Sequence, residues 1–238
     1  MGKIFRYECR RLLWNKFFIG LAVVLLLYGA FVLHGVTILG VAHTAPFSPW
    51  SFGDYLSRMM PLLWIGMLFF LTFYTSPQAR RAAILTDAAP MPPKRYALAR
   101  CAAVLTGGAL LTLLCMVEAA VFYGRMFHWY SWGSLLLPAL VTLLPALVFA
   151  LGSGWLAGQI RPWLVYMWMA VPLLLAALPL PDALGLWNGS FFTAYPLTLE
   201  TLDPAFVLPV GVTVVQVVLL AAGTVLLILC SNRRKVMR

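Results

Sequence analysis

The chain has 238 residues, of which 63% are hydrophobic and only 10% are charged, and its mean hydropathy is +0.92. No water-soluble core can absorb that composition, so a soluble globular domain is excluded and an all-α membrane protein is predicted. The formal net charge of +10 does not require nucleic acid as a partner, because membrane topology and anionic lipid headgroups account for it.

Residues 1–16 are predicted to form a cytoplasmic interfacial helix that lies in the lipid headgroup region. Phe5, Cys9 and Leu12 share one helical face. Arg6 and Arg10 lie toward the opposite face, which is the pattern of an amphipathic surface helix. An ordinary positively charged flank of the first span would have the same composition, so both interpretations stay open.

Residues 17–238 are predicted to form a single domain of six transmembrane helices. A helix needs about 20 mostly apolar residues to cross the hydrocarbon, where its backbone groups must bond to one another. Six stretches qualify, and the second and fifth are the shortest. The predicted spans cover residues 17–41, 59–76, 97–123, 135–158, 163–180 and 205–230.

The basic residues predict the orientation of these spans. Of the 17 Lys and Arg residues, 15 lie before the first span, after the last, or in and beside the connections two-to-three and four-to-five. The two exceptions are Arg58 and Arg125. Lys and Arg are retained on the cytoplasmic side during insertion, so both termini are predicted to be cytoplasmic. The expected location is the cell membrane of a bacterium, as a multi-pass protein.

Catalytic and metal motifs are not found in the sequence. The only Gly-Lys pair, Gly2-Lys3, is not followed by Ser or Thr, so a phosphate-binding loop is missing. Paired Cys or His residues at zinc-ligand spacing are also missing. The chain is therefore expected not to be an enzyme, with no catalytic residue, no metal and no cofactor of its own.

The segment between the second and third predicted spans favours a docking element. Residues 79–89 are rich in helix formers, and Pro90, Pro92 and Pro93 would end the helix. Its apolar pair lies among charged residues, which suits insertion into a partner's cleft, although a basic linker is the alternative. The expected contact residues are Arg80, Arg81, Ile84, Leu85 and Asp87.

Glu118 is the only acidic residue within a predicted span, and an ionisable residue there is by default a functional hypothesis. Arg125 lies two helical turns further along the same face, and Arg58 begins the second span from the same side. We expect an outer ion pair with these arginines or, as the alternative, a contact with a translocated substrate or proton.

The connection at residues 182–204 is predicted to lie outside the cell, yet it carries seven large apolar or aromatic residues: Leu184, Leu186, Trp187, Phe191, Phe192, Tyr195 and Leu197. A solvated loop does not need these side chains. The sequence therefore predicts a segment that partly re-enters the outer leaflet before span six, where non-helical backbone is tolerable if buried in protein.

This combination resembles the type-2 ATP-binding-cassette (ABC) exporter permeases, and the resemblance covers the whole chain. The most specific stretch is residues 80–100, with a basic start, a helix, prolines, the pair Lys94-Arg95, and Tyr96 leading into span three. Two departures stand out: the helix start lacks the acidic residue common in that family, and Ala99-Arg100 occupies the place of a Gly-Lys pair.

The resemblance implies a permease subunit that is driven through its coupling helix by a separate cytoplasmic ATPase dimer. ATP and Mg²⁺ would be bound by that partner, and a second copy or a related permease would complete the membrane part. Two alternatives stay open: a substrate-binding membrane subunit of a vitamin-type importer, and a membrane anchor or sensor that transports nothing. The sequence does not name the transported substrate.

Overall fold

The structure is a computed structural model, and it describes residues 2–76, 93–181, 184–199 and 201–233. Within these ranges all regular structure is helical and no strand occurs, which confirms the all-α prediction. Short 3-10 helices cover Thr37–Leu39 and Tyr195–Leu199. The α-helices are α1 (Gly2–Leu13), α2 (Lys16–Gly35), α3 (Pro49–Thr75), α4 (Pro93–Phe127), α5 (Gly133–Ile160), α6 (Pro162–Ala177), α7 (Ser190–Ala194) and α8 (Val210–Arg233).

Five helices of the described ranges are long and apolar enough to cross a bilayer: α2 with its 3-10 extension, α3, α4, α5 and α8. The protein is therefore a multi-pass membrane protein. Helix α6 is apolar but has only 16 residues, fewer than the roughly 20 that a perpendicular crossing needs. The sixth crossing stays a prediction.

Helices α3 and α5 form the centre of the bundle. In each of them 67% of the most apolar stretch is buried, against 22% in α2 and 17% in α8. Helix α8 packs on α5 at Gly152 and Gly223, where a Cβ on Gly152 would collide with the Gly223 carbonyl oxygen. Small residues at this crossing let the two backbones touch, as is typical of helix pairs in membranes.

Helix α3 begins ten residues before the predicted start of the second span at Met59. Its N-terminus is capped by Ser48, whose side chain accepts a hydrogen bond from the Ser51 backbone N–H at 3.2 Å, and Pro49 occupies the first turn. The added residues include Ser, Gly and Asp, which hydropathy assigns to a loop. They are nevertheless buried, because Ser51 bonds to the loop at residues 41–48 and the segment 184–199 packs over Gly53 and Asp54.

Two other predicted boundaries also move. The predicted N-terminal helix ends at Leu13, and Asn15 caps α2 by accepting a hydrogen bond from the Phe17 N–H at 3.2 Å. The last span begins at Val210 and not at residue 205. Residues 204–209 are non-helical, and α3 holds them through Trp50, whose Nε1–H donates to the Pro204 carbonyl at 2.8 Å.

The bundle has two chemically different ends. At the end that we call the basic end, α1 lies beside the start of α4 and the last turn of α3, and Gly158 near the end of α5 meets Thr75. At the opposite, aromatic end, the start of α3 contacts α7 through Trp50 and Phe191, whose ring centroids are 5.7 Å apart.

Candidate functional site

The predicted coupling helix, with Arg80, Arg81, Ile84, Leu85 and Asp87, lies outside the described residues. The structure does describe the two helices that it connects. Helix α3 ends at Thr75 and α4 begins at Pro93. Both of these ends meet α1 at a buried polar site, which defines the first candidate site.

The centre of this site is Glu8 on α1, whose side chain has no exposed surface. The Tyr96 hydroxyl donates a hydrogen bond to Glu8 Oε1 at 2.9 Å. Arg100 Nε lies 3.6 Å from the same oxygen, and Arg11 Nη1 lies 3.9 Å from Oε2. We call Glu8, Tyr74, Tyr96 and Arg100 the Glu8 cluster.

Arg100 is held between two aromatic rings as well as beside the carboxylate. Its guanidinium carbon is 4.1 Å from the Tyr96 ring centroid and 5.3 Å from that of Tyr74. Only 6% of the Arg100 side chain is exposed. A buried cation is tolerated only when it is paired, so Glu8 supplies the anion and the two tyrosine faces add cation–π attraction.

The Glu8 cluster changes the interpretation of α1. The face predicted to carry Phe5, Cys9 and Leu12 turns toward the bundle at Leu12, which is buried and whose Cδ2 packs beside Gly107 of α4. Burial raises the pKa of the Cys9 thiol, against an opposing hydrogen bond with Thr106. The inward face of α1 therefore contacts protein.

The outward face of α1 carries the exposed basic side chains. Lys3, Arg6 and Arg10 are exposed, together with Tyr7 and, just beyond the helix, Trp14. This face has the composition of a headgroup-binding surface. Sequence reasoning missed Glu8, although one signal was legible: a single acid stands among basic residues, four positions before Leu12 and so on the same inward face.

The second candidate site surrounds Glu118 in α4. The Tyr55 hydroxyl of α3 can donate to the Cys115 carbonyl oxygen at 3.2 Å or to Glu118 Oε2 at 3.4 Å. On its other side the carboxyl touches Gly29 of α2, where a Cβ would collide with Oε2. We call Glu118, Tyr55, Cys115 and Gly29 the Glu118 cluster. It is the point at which α2, α3 and α4 meet.

The structure does not form the predicted ion pair between Glu118 and the arginines. Arg58 Nε instead pairs with Asp54 Oδ2 at 2.8 Å, one turn earlier on α3. Arg125 is exposed, and no ion pair involves it within the described part of the chain. The physical reason for the Arg58 pair is local. Because α3 extends back to Pro49, Asp54 and Arg58 are i, i+4 neighbours on one helix. Their pairing needs no contact between separate helices, whereas a pair with Glu118 would.

The segment 184–199 is buried against the start of α3 through its aromatic residues. Phe192 is fully buried and packs so closely on Gly53 that a Cβ there would collide with the ring. Gly189 has a φ of +81°, and a Cβ on it would lie 2.9 Å from Asp54 Oδ1. The aromatic residues of this segment therefore pack against protein, and its partial re-entry into the outer leaflet stays a prediction.

No metal centre accompanies these sites: in the portion of the chain that is described, no three His, Cys, Asp or Glu side chains come together to hold an ion. No protein-family model, no curated protein and no solved structure matches the chain. Function therefore has to be inferred from the sequence pattern and from the geometry of the two clusters.

Proposed function

We propose that the chain is the transmembrane permease subunit of an ABC exporter of the type-2 class. In this proposal the basic end faces the cytoplasm, both termini lie there, and the residues between α3 and α4 contact a separate ATPase dimer. ATP and Mg²⁺ are bound by that dimer. A second copy of the chain, or a related permease, completes the membrane part in the bacterial cell membrane.

The observation that carries this proposal is the position of the Glu8 cluster. Glu8 on α1, Tyr74 at the end of α3, and Tyr96 and Arg100 at the start of α4 enclose both ends of the connection at residues 77–92. A connection that served only to join two spans would need no buried charge network at its base. A connection that transmits force requires the helices at its two ends to be held rigidly against one another.

The stiffness follows from the energetics of the cluster. Separating α1 from α4 would break the ion pair between Glu8 and Arg100 and the hydrogen bond from Tyr96 to Glu8. Leaving one buried charge unpaired costs about 3–5 kcal/mol. A displacement of residues 77–92 is therefore transmitted to α1, α3 and α4 together. Rigid-body motion of packed helices is the ordinary way in which such a displacement opens a distant cavity.

Co-purification with candidate ATPases tests this proposal. The variant Ile84→Asp plus Leu85→Asp places two charges on the apolar pair of the connection. We expect it to insert in the membrane as the wild type does and to lose the ATPase. The matched control is Ile160→Asp plus Trp163→Asp, because these two residues are 59% and 51% exposed at the connection between α5 and α6, also at the basic end.

The other outcomes separate the alternatives. An ATPase that stays bound to the Ile84/Leu85 variant would contradict coupling through residues 77–92 and would favour the importer-type subunit. A chain that captures no ATPase in any variant would favour the anchor or sensor. Loss of the ATPase from both double variants would mean that the added charge, and not the docking position, is responsible.

A further inference from the structure

Glu118 is placed in a membrane-crossing helix without a counter-charge. It belongs to the stretch Tyr96–Phe127 of α4, which is long and apolar enough to span a bilayer. Among the described residues no ion pair involves Glu118. This distinguishes it from Glu8 and Asp54, which each face an arginine. An unpaired carboxylate is strongly disfavoured in such surroundings.

The groups that face Glu118 come from three helices. From α3 it meets the Tyr55 hydroxyl, and from its own helix the Cys115 thiol and carbonyl lie one turn earlier. From α2 it meets Gly29 and the backbone amide of Ala30, and His34 lies near enough to act on it electrostatically. His34 Nδ1 lies 2.9 Å from the Ala30 carbonyl oxygen, which can only accept, so Nδ1 carries a hydrogen.

The hydrogen bonds of the Glu118 cluster can be counted. The Tyr55 hydroxyl has one hydrogen and two acceptors, the Cys115 carbonyl at 3.2 Å and Glu118 Oε2 at 3.4 Å. If Glu118 were ionised, the single Tyr55 hydrogen could serve only one of these two acceptors at a time. A protonated carboxyl resolves the competition: Glu118 donates to the Tyr55 oxygen, and Tyr55 donates to the Cys115 carbonyl.

We propose that the Glu118 cluster is a proton-binding site, at which a single proton on the Glu118 carboxyl closes a hydrogen-bond chain from Glu118 through Tyr55 to the Cys115 carbonyl. The ligand is a proton, and its release leaves a carboxylate against the backbone of α2 at Gly29. Proton occupancy therefore controls how closely α2 packs on α4. This site is independent of the proposed contact with an ATPase.

Infrared spectroscopy of the purified full-length protein tests the proposal. The difference spectrum of wild type minus Glu118→Gln at neutral pH is expected to contain the carbonyl stretch of a protonated carboxyl, sensitive to deuterium exchange. The matched control is wild type minus Glu8→Gln, because Glu8 is a buried glutamate that is paired with Arg100. Its difference spectrum is expected to contain carboxylate bands. Carboxylate bands in the Glu118 spectrum would overturn the proposal.

A second variant tests the direction of the hydrogen bond. Tyr55→Phe removes the oxygen that accepts from the protonated Glu118, so the pH midpoint of the Glu118 band is expected to fall by about one unit, the value of one ordinary hydrogen bond. If Tyr55 instead stabilises an ionised carboxylate, the same substitution raises the midpoint. A rise of the pH midpoint contradicts the proposal. If Tyr55→Phe does not fold, the protonation state of Glu118 is decided by the wild type minus Glu118→Gln spectrum alone.

Discussion

Replacing Glu8 with methionine would leave the Arg100 guanidinium buried between two tyrosine rings without its anion. The two charges are 3.6 Å apart, and the side chains are 0% and 6% exposed. At an effective dielectric constant of about 20, that separation corresponds to an attraction of roughly 5 kcal/mol. Removing one partner of a buried pair is expected to cost about 3–5 kcal/mol of unfolding free energy.

Thermal unfolding of the detergent-purified protein measures this loss. At about 2–4 °C per kcal/mol for a chain of this size, Glu8→Met is expected to lower the apparent melting temperature by about 10 °C. The double variant Glu8→Met plus Arg100→Met removes both charges and keeps the volume, so it is expected to recover to within about 1 kcal/mol of the wild type. The coupling between the two sites should be about 2 kcal/mol or more.

Arg11→Met is the matched control for this experiment. Arg11 also approaches Glu8, at 3.9 Å, but its side chain is 52% exposed. An exposed pair is worth about 0–1 kcal/mol, so this variant is expected to melt close to the wild type. The reasoning is refuted if Glu8→Met and Arg11→Met are equally mild, or if the effects of Glu8→Met and Arg100→Met simply add.

Three further predictions concern helix contacts, each measured as an apparent melting temperature. Gly29→Ala is expected to lower it, because the added methyl displaces the Glu118 carboxyl, whereas Gly20→Ala, with no atom within 4 Å of the new Cβ, should be neutral or better. Gly152→Ala is expected to cost more than Gly29→Ala, since its methyl meets backbone of α8 that cannot turn away. Asp54→Asn should cost only about 1 kcal/mol, because its arginine partner is 40% exposed; equal losses for all four variants would contradict this ranking.

The approximate ends of the third and fourth spans could be predicted from the sequence, because every helix that crosses lipid needs a continuous apolar stretch of about 20 residues. The fourth span, predicted at residues 135–158, lies within Gly133–Ile160, and the third, at 97–123, lies within Pro93–Phe127. Prediction failed for α3, where Ser51, Gly53 and Asp54 lower the local hydropathy. The burial of Gly53 and Asp54 depends on the distant segment 184–199, which a local pattern does not contain. Ser51 is buried by its hydrogen bonds to the preceding loop at residues 41–48.

The partners of the two glutamates, Glu8 and Glu118, could likewise not be predicted from the local sequence. An acid in a basic helix could have marked Glu8 as inward-facing, but its pairing with Arg100 joins residues far apart in the chain. Glu118 was identified as an unusual residue from the sequence, and the arginines expected beside it are engaged elsewhere or exposed. Only the tertiary structure showed that the carboxyl meets Tyr55 of α3 and Gly29 of α2.

The sequence by itself determined that this is an all-α membrane protein with its basic residues gathered at the ends of apolar helices. Composition and helix length suffice for that, because an unbonded backbone is intolerable in hydrocarbon whatever the tertiary fold. The tertiary structure alone decided which charges are buried and what they meet. A buried charge is stable only beside a specific partner, and the packing of separate helices determines that partner.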